Sequence, residues 1–359
     1  MPGSPKPSPT PPAISIVVTA WNRRAFLREA VQSAAAPPEP AGGREIVVVK
    51  NFEEPLLDRD LAAMGARLVL DREPAVGASV ARGLAEARAP VLCFLDDDDR
   101  FAPGKVAAVA EAFARDPSLV LLRNGWRPID VRGEPIPGWP IHDWPAAAPR
   151  RPVVLRTEAE KRASRILPMY NLSTMSVRRD ALLPWAGRFR PIPAASDSLV
   201  VLASLASGGT VAYDPRPWTL HRIHASTSRE TLGADGIRPP AGPEYLSRSV
   251  AALRAQEAMV LGTAAEPWAH WVYLIARFDG YLGLPDASPP TPREHWEFLL
   301  GALRERQRFR LPPLAFSLLR RPFPHWAFAH WWGLRRFLHA VETRDADRIG
   351  VGVAREEAP

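Results

Sequence analysis

Val91-Leu92-Cys93-Phe94-Leu95-Asp96-Asp97-Asp98-Asp99 is the stretch whose reading decides the fold. Its five apolar residues predict a short strand buried on both faces. Four carboxylates follow at once, where the strand leaves its sheet. In an open α/β sheet, ligands bind in the crevice beyond the carboxyl ends of the strands. Adjacent aspartates repel one another and are costly unless solvated or neutralised. A divalent cation is the natural neutraliser, because hard cations prefer carboxylate oxygens. Residues two apart on an extended chain point the same way, so Asp96 and Asp98 would face one ion. A solvated acidic loop is the competing reading of the run taken alone.

Upstream, the chain alternates strand and helix. Ile14 to Ala20 is apolar and β-branched, a buried strand, with Trp21-Asn22-Arg23-Arg24 after it. Ala25 to Ala36 sets Phe26, Leu27, Ala30 and Val31 on one helical face, and Pro37-Pro38 ends it. Glu45 to Lys50 predicts a second strand, Pro55 to Met64 a short helix, Arg67 to Leu70 a third strand, and Gly77 to Arg88 a helix. Strand, helix, strand, helix, strand predicts a parallel sheet with right-handed crossovers. No Gly-x-Gly-x-x-Gly follows the first strand and no Walker-type loop is present, which excludes a standard dinucleotide or P-loop site.

Downstream, Pro103-Gly104-Lys105 opens a helix through Phe113, with Pro in its first turn. Ser118 to Leu122 is a strand. Trp126 to about Pro152, rich in Pro, Gly and Trp, reads as a loop or lid. Glu158 to Ile166 is helical, Leu172 to Val177 a strand, and Asp180 to Trp185 and Asp197 to Ala206 are helices. Thr210 to Tyr213 and Trp218 to Ile223 read as two more strands. From about Pro239 the character changes to amphipathic helices over Arg248–Leu261, Trp268–Phe278 and Pro292–Arg306. Leu314 to Ala340 then interleaves Phe, Trp, Leu, Arg and His. That mix suits a membrane interface with anionic lipid, or equally a helical subdomain with a Trp core. His325, His330 and His339 lack carboxylate or cysteine company at metal spacing.

The 359 residues carry a net charge of +7 and 40 prolines. The charge favours an anionic partner, although an Arg-rich composition alone gives the same sign. The single cysteine, Cys93, allows no intramolecular disulfide, which fits a reducing compartment and predicts a cytoplasmic location. Met1 to Pro12 is Pro- and Ser-rich with no apolar core, so it is expected to be a disordered leader and not a secretory signal. No uncharged apolar run approaches about 18 residues, so no membrane-spanning helix is expected.

Taken together, these residues resemble a known family. Ile14-Ser15-Ile16-Val17-Val18-Thr19-Ala20-Trp21-Asn22-Arg23 looks like the opening strand of family-2 glycosyltransferases of the GT-A fold. Phe94-Leu95-Asp96-Asp97-Asp98-Asp99, with Pro103 and Lys105 behind it, looks like their strand and Asp-x-Asp motif. Asn171 to Arg179 resembles their acceptor-side strand, Ser196-Asp197-Ser198-Leu199 the segment with the catalytic base, and Leu220 to Ser228 the closing strand and its His. The five matches run in order over about residues 14 to 228.

The resemblance implies an α/β, GT-A-like, mostly parallel nucleotide-binding sheet flanked by helices; it does not cover residues past about 240, where the amphipathic pattern predicts a C-terminal helical extension. With the composition, it divides the chain into a leader over 1–13, a glycosyltransferase domain over 14–235 (nucleotide half 14–125, acceptor half 126–235) and a helical Trp/Arg-rich region over 236–359. It implies inverting transfer from a nucleotide-diphosphate sugar to a glycan, lipid-linked or small-molecule hydroxyl, with Mn2+ or Mg2+. Nucleic acid is not among the implied partners; peripheral contact with the anionic inner face of the membrane is compatible with it. Residue by residue, Thr19, Ala20 and Trp21 would lie along the base, and Asp96 and Asp97 would reach the ribose and the metal's waters. Asp98 would bind the metal with His224 near it, and Asp197 would be the general base.

Two departures stand out. The family shows Asp-Asp-Gly-Ser after its second strand, whereas Lys50-Asn51-Phe52 stands here, which argues for another base or for a phosphate contact by Lys50 or Asn51. Val80 and Ala81 fall on the family's Arg and Asn, so Arg82 would have to supply that charge from a different helical position. Those departures keep a catalytically silent binding or scaffold protein of the same fold as the alternative. Each assignment also has a bland counterpart: a first-turn Asp for Asp197, a structural His for His224, a core anchor for Trp21. A sugar-phosphate nucleotidyltransferase is disfavoured, because no Gly-rich basic loop follows the first strand.

Overall fold

The computed structural model describes residues 11–136, 151–163, 171–224, 231–233, 236–238, 243–284, 287–304, 313–314 and 317–318. Its first half is β1 (Ile14–Ala20), α1 (Leu27–Ala35), β2 (Arg44–Lys50), α2 (Pro55–Ala63), β3 (Ala66–Leu70), α3 (Val76–Glu86) and β4 (Val91–Asp96). These strands lie in the order β3-β2-β1-β4, every pair parallel. The chain builds outward from β1 to β3 and then returns to the other side of β1. The carboxyl ends of β1 and β4 therefore flank the topological switch point, where an open α/β sheet forms its ligand crevice.

Beyond β4 come β5 (Arg100–Phe101), α4 (Lys105–Arg115), β6 (Leu119–Ile129), β7 (Val153–Leu155), α5 (Glu158–Ala163), a 3-10 turn at Leu172–Thr174 and β8 (Met175–Arg178). There follow α6 (Arg179–Leu182), a 3-10 turn at Leu183–Trp185, α7 (Ala186–Phe189), α8 (Ser196–Ala206) and β9 (Thr210–Arg222). The full sheet runs β3-β2-β1-β4-β8-β6-β9-β5, with β7 also on β9. β8 runs antiparallel between β4 and β6, so the parallel half continues into a mixed half. A small antiparallel pair, β10 (Thr231–Gly233) and β11 (Gly236–Arg238), precedes α9 (Pro243–Met259), α10 (Glu266–Gly283) and α11 (Pro292–Arg304).

The period of two along each strand builds the core on both faces. Ile14, Ile16 and Val18 of β1, with Cys93 and Leu95 of β4, pack against Leu27, Ala30 and Val31 of α1 and Val106, Val109 and Phe113 of α4. Val17, Leu92 and Phe94 face the other way, onto Val80 and Leu84 of α3 and Leu199 to Ala203 of α8. Gly83 allows α3 to lie this close: a Cβ there would stand 2.2 Å from Val17 Cγ1. Ala252, Met259, Val260, Ala265 and Ala269 join the same cluster, so α9 and α10 share a core with the sheet.

Three segments differ from the sequence reading. Trp126–Ile129 is strand and not lid: β6 continues beside β9, and Trp126 is buried against His221 with ring centroids 5.2 Å apart. The two expected strands at 210–213 and 218–223 are one, because bulges at Asn124–Trp126 accommodate Pro215 and Pro217 in the partner. Leu172–Thr174 opens with a 3-10 turn instead of strand. Most of the 1–13 leader, residues 137–150 of the expected lid, and nearly all of the aromatic 314–340 stretch with its three histidines lie outside the described residues. Among the described residues no helix is long and apolar enough to cross a membrane.

Candidate active site

β4 delivers Asp96 at its last position, and the chain turns at once, with the Asp99 amide donating to Asp96 O at 3.2 Å. The turn is held from three other segments. From the loop after β1, Arg23 donates to Asp97 Oδ1 through Nε at 2.9 Å, and its Nη1 lies 2.8 Å from Asp98 Oδ2. From the end of β9, His221 Nδ1 lies 2.9 Å from Asp99 Oδ1, and the Arg222 amide donates to the same oxygen at 3.0 Å. Just past β9, His224 Nε2 lies 3.0 Å from Asp98 Oδ2 and 3.3 Å from Arg23 Nη1. From the 172–174 turn, Ser173 Oγ accepts the Asp96 amide at 2.9 Å, and Thr19 Oγ1 approaches Asp96 Oδ1 at 3.4 Å.

The electrostatics follow from crowding carboxylates in a buried place. Burial and then Asp99, Asp98 and Asp97 push Asp96 well above the ordinary carboxylate value. Burial and Asp98 push Asp97 up to about 7, against the pull of Arg23. Burial works the same way on Asp99, but the His221 ring and the Arg222 amide outweigh it and hold Asp99 below the ordinary value. Arg23 goes the other way: burial would lower it, and the surrounding aspartates more than compensate, so it stays charged.

Arg222 fixes the frame. It is fully buried, its Nε donates to Asp98 O at 2.8 Å, and its Nη2 pairs with Glu29 Oε2 of α1 at 2.7 Å. Lys105, also fully buried at the start of α4, donates to Ser173 O at 2.5 Å and Thr219 Oγ1 at 3.0 Å. It thereby ties the turn that holds Asp96 to β9, and burial pushes its pKa down to about 7.

Of the residues singled out from the sequence, the structure brings Thr19, Asp96, Asp97, Asp98 and His224 into one cluster beside Ala20 at the end of β1. Trp21, 39 % exposed, stands just past that strand. Asn51 pairs with Asn22 both ways: its Nδ2 donates to Asn22 Oδ1, and its Oδ1 accepts the Asn22 amide, each at 2.8 Å. Lys50, expected to meet the donor, is buried and committed inside the protein, donating to Phe52 O at 2.5 Å and pairing with Asp58 at 2.8 Å. Arg82 is not brought to the cluster: it is exposed on α3 and pairs with Glu86 of the same helix at 2.9 Å. Val80 and Ala81 are core.

Asp197 lies in the first turn of α8, half-buried, and accepts the Ser198 amide at 2.9 Å. The Gly77 amide at the start of α3 donates to Ile192 O at 3.0 Å, which draws the segment leading into α8 to the carboxyl edge of the parallel strands. Arg23, Ser173, His221 and Arg222 are the site residues that sequence reasoning missed. The only local signal was Arg23, a cation placed between the opening strand and the helix that faces the acidic run.

Among the described residues no three His, Cys, Asp or Glu side chains converge as a ready cation cage. A cation bridging a diphosphate does not need one, because Mg2+-like ions take one or two protein carboxylates and complete their shell with phosphate oxygens and water. Asp98 would supply that carboxylate, and His224 Nε2, 3.0 Å from Asp98 Oδ2, would add an imidazole nitrogen beside it. Asp97 Oδ2, buried without a hydrogen-bond partner, would offer a further acceptor to water around such a cation.

A switch-point crevice in a mixed sheet flanked by helices is the arrangement of a GT-A-type glycosyltransferase domain. Residues 15–182 match the model described as "Glycosyl transferase family 2". Solved structures of residues 1–349 of S. aureus TarS have the same fold. One superposes with a TM-score of 0.53 and 16% identity over 94% of this chain and 91% of that chain. Another, in complex with UDP-GlcNAc, gives 0.53 and 15% over 94% and 92%. A third, in complex with UDP, gives 0.53 and 16% over 94% and 91%. No curated protein matches the chain by sequence.

Proposed function

We propose that the protein moves a sugar, with inversion, from a nucleotide-diphosphate sugar to an acceptor hydroxyl, and that Asp98 and His224 hold the divalent cation the reaction needs. The observation that carries this reading is the meeting of Asp98 and His224 at 3.0 Å in the switch-point crevice. The cation, when bound, neutralises charge on the leaving diphosphate. Thr19, Ala20 and Trp21 flank the nucleotide, and Arg23 stands within reach of the same phosphates. Asp197 takes the proton from the acceptor hydroxyl as that oxygen bonds to the anomeric carbon. The anomeric carbon–oxygen bond breaks on the opposite face, its electron pair leaving with the diphosphate, so the configuration inverts.

UDP-GlcNAc and UDP, bound in two of the similar structures, head the ligands to test. Melting is measured with UDP-GlcNAc, UDP-glucose, GDP-mannose, dTDP-glucose and the free diphosphates, each with and without Mn2+. A ligand that binds only the folded chain raises the melting point by mass action. The expected result is one nucleotide whose shift depends on Mn2+, with slow release of its diphosphate to water. No shift and no release from any donor would instead favour the silent binding protein, a reading that draws on Lys50 being paired with Asp58 and on Val80 lying in the core. The Trp/Arg-rich 314–340 stretch supports peripheral contact with anionic membrane, and co-sedimentation of the full chain with anionic liposomes tests it.

A further inference from the structure

Gln256 projects from α9, beyond the segment that matches the family, and is fully buried. A buried amide is costly unless its donors and acceptor are all used. Its side-chain bonds go to the entrance of α8. Its Nε2 donates to Ala195 O at 2.9 Å and to Ala194 O at 3.4 Å, and its Oε1 accepts Ser198 Oγ at 2.6 Å. Ser198 Oγ also lies 3.0 Å from Ala195 O, so its one proton is shared between that carbonyl and Gln256 Oε1.

The place so tied is strained. Ala195, the residue before α8, has φ 59° and ψ 55°, and no side chain caps the helix there. A non-glycine residue in the left-handed region costs about 1–2 kcal/mol and persists only where its surroundings over-determine it. Gln256 does so from a separate helix, on both sides of Asp197. The direction of the Asp197 Cα–Cβ bond is set by residues 195–198, so it is set in part by α9.

We propose that Gln256 is a positioning residue for Asp197, making the C-terminal helices part of the catalytic device. This rests on the reading of Asp197 as the base. The test uses the full chain, Mn2+ and the donor found active in the panel above, with water as acceptor. Gln256→Met keeps the volume and removes the bonds. It lowers kcat about tenfold or more, because small displacements of a catalytic group are costly. The donor KM and the donor-induced melting shift stay within about twofold of the parent.

In the Asp197→Asn background, whose rate is about 10²–10⁴ below the parent, Gln256→Met has no further effect, because the two changes remove one function. A general loosening of the fold would lower both backgrounds alike. Amide exchange over residues 195–199 rises in Gln256→Met and not in Asp197→Asn. If Gln256→Met does not fold, Ser198→Ala carries the same test with a smaller loss of about threefold, one hydrogen bond's worth.

A parental kcat in these variants, or equal losses in both backgrounds, overturns the positioning role and leaves the base assignment standing. A parental rate in Asp197→Asn, or no diphosphate release from any donor, overturns the base assignment and the positioning role together.

Discussion

Replacing Arg222 by Met should destabilise the protein by about 3–5 kcal/mol, the sum of an ion pair, a buried carbonyl and a ring contact. The contacts apportion that figure. Glu29 is 39 % exposed at its side chain and regains water when unpaired, so the lost ion pair counts only about 0.5–1 kcal/mol. Of the three carbonyls Arg222 serves, Asp130 O and Val131 O belong to residues that solvent reaches. Asp98 is buried, and its carbonyl left without a donor costs about 1–3 kcal/mol. The guanidinium over Phe26, 4.4 Å from the ring centroid, adds about 1 kcal/mol. With an unfolding entropy of roughly 2.1 cal/mol/K per residue over 359 residues, the loss lowers the melting point by about 4–7 °C. Calorimetry on the parent, Arg222→Met and Glu29→Gln checks it, Glu29→Gln costing under about 1 kcal/mol. If Glu29→Gln costs as much as Arg222→Met, the ion pair dominates and the carbonyl account is wrong. If Arg222→Met melts within about 1 °C of the parent, the residue holds nothing together.

Asp98→Asn should abolish the Mn2+-dependent part of nucleotide stabilisation while barely moving the ligand-free melting point, since relief of repulsion at Asp97 offsets the lost Arg23 contact; a persisting Mn2+ effect would remove Asp98 from the cation site. Arg23→Met takes away the guanidinium that neutralises Asp97 and Asp98, so Mn2+ affinity without nucleotide should rise. Titration calorimetry reads it, and an unchanged or lower affinity contradicts the electrostatics. Lys105 has its pKa lowered by burial from 10.5 to about 7, so between those values the unfolded chain holds more protons. Stability should therefore rise with pH across that window, by up to about 1.4 kcal/mol per pH unit from this group, and be lost as pH falls toward 7. Urea midpoints of the parent and Lys105→Met across pH 7–10 should differ in slope in that sense. Gly77→Ala should destabilise by at least about 1–3 kcal/mol, because its Cβ would stand 1.9 Å from Phe189 O, a backbone atom that cannot swing aside; a parental melting point would mean the two segments are not packed this closely.

The parallel half of the fold was legible because its signals are local. β1 and β4 are apolar runs ended by a turn or by charge, and the helices between them show a one-sided face stopped by proline or by a strand. Ile14–Ala20 is expected and observed with the same bounds. The second half was harder because tertiary pairing overrode composition. Trp126, Arg127 and Pro128 carry the residues of a loop, yet β9 lies alongside and gives their backbone partners. Pro215 and Pro217 read as a break between strands, and a bulge absorbs them. Asn171, with φ 60°, accepts the Ser173 amide on its side chain and forms a 3-10 turn where β-branched neighbours suggested strand only.

The site was half legible for a related reason. Carboxylates adjacent in sequence announce themselves, whereas the partners that make their burial tolerable arrive from far away. Arg23 meets Asp97 across 74 residues and His224 meets Asp98 across 126. No spacing rule ties residues that far apart. What sequence does supply is the demand: four crowded acids at a strand end, three of them buried, require positive charge or hydrogen-bond donors from somewhere, and β1, β9 and the 172–174 turn are the segments whose ends the topology brings there. Lys50 illustrates the converse. Reading it against a family acceptor predicts a contact with the donor, but a lysine at the buried end of β2 first needs its own counter-charge, and Asp58 on the next helix provides it. A charge in a crevice is open to ligand only after its neighbours' demands are met. By that rule Arg23 would be freed toward a ligand where a metal ion took over the oxygens of Asp97 and Asp98, whereas Lys50 stays committed to Asp58 and Phe52 O.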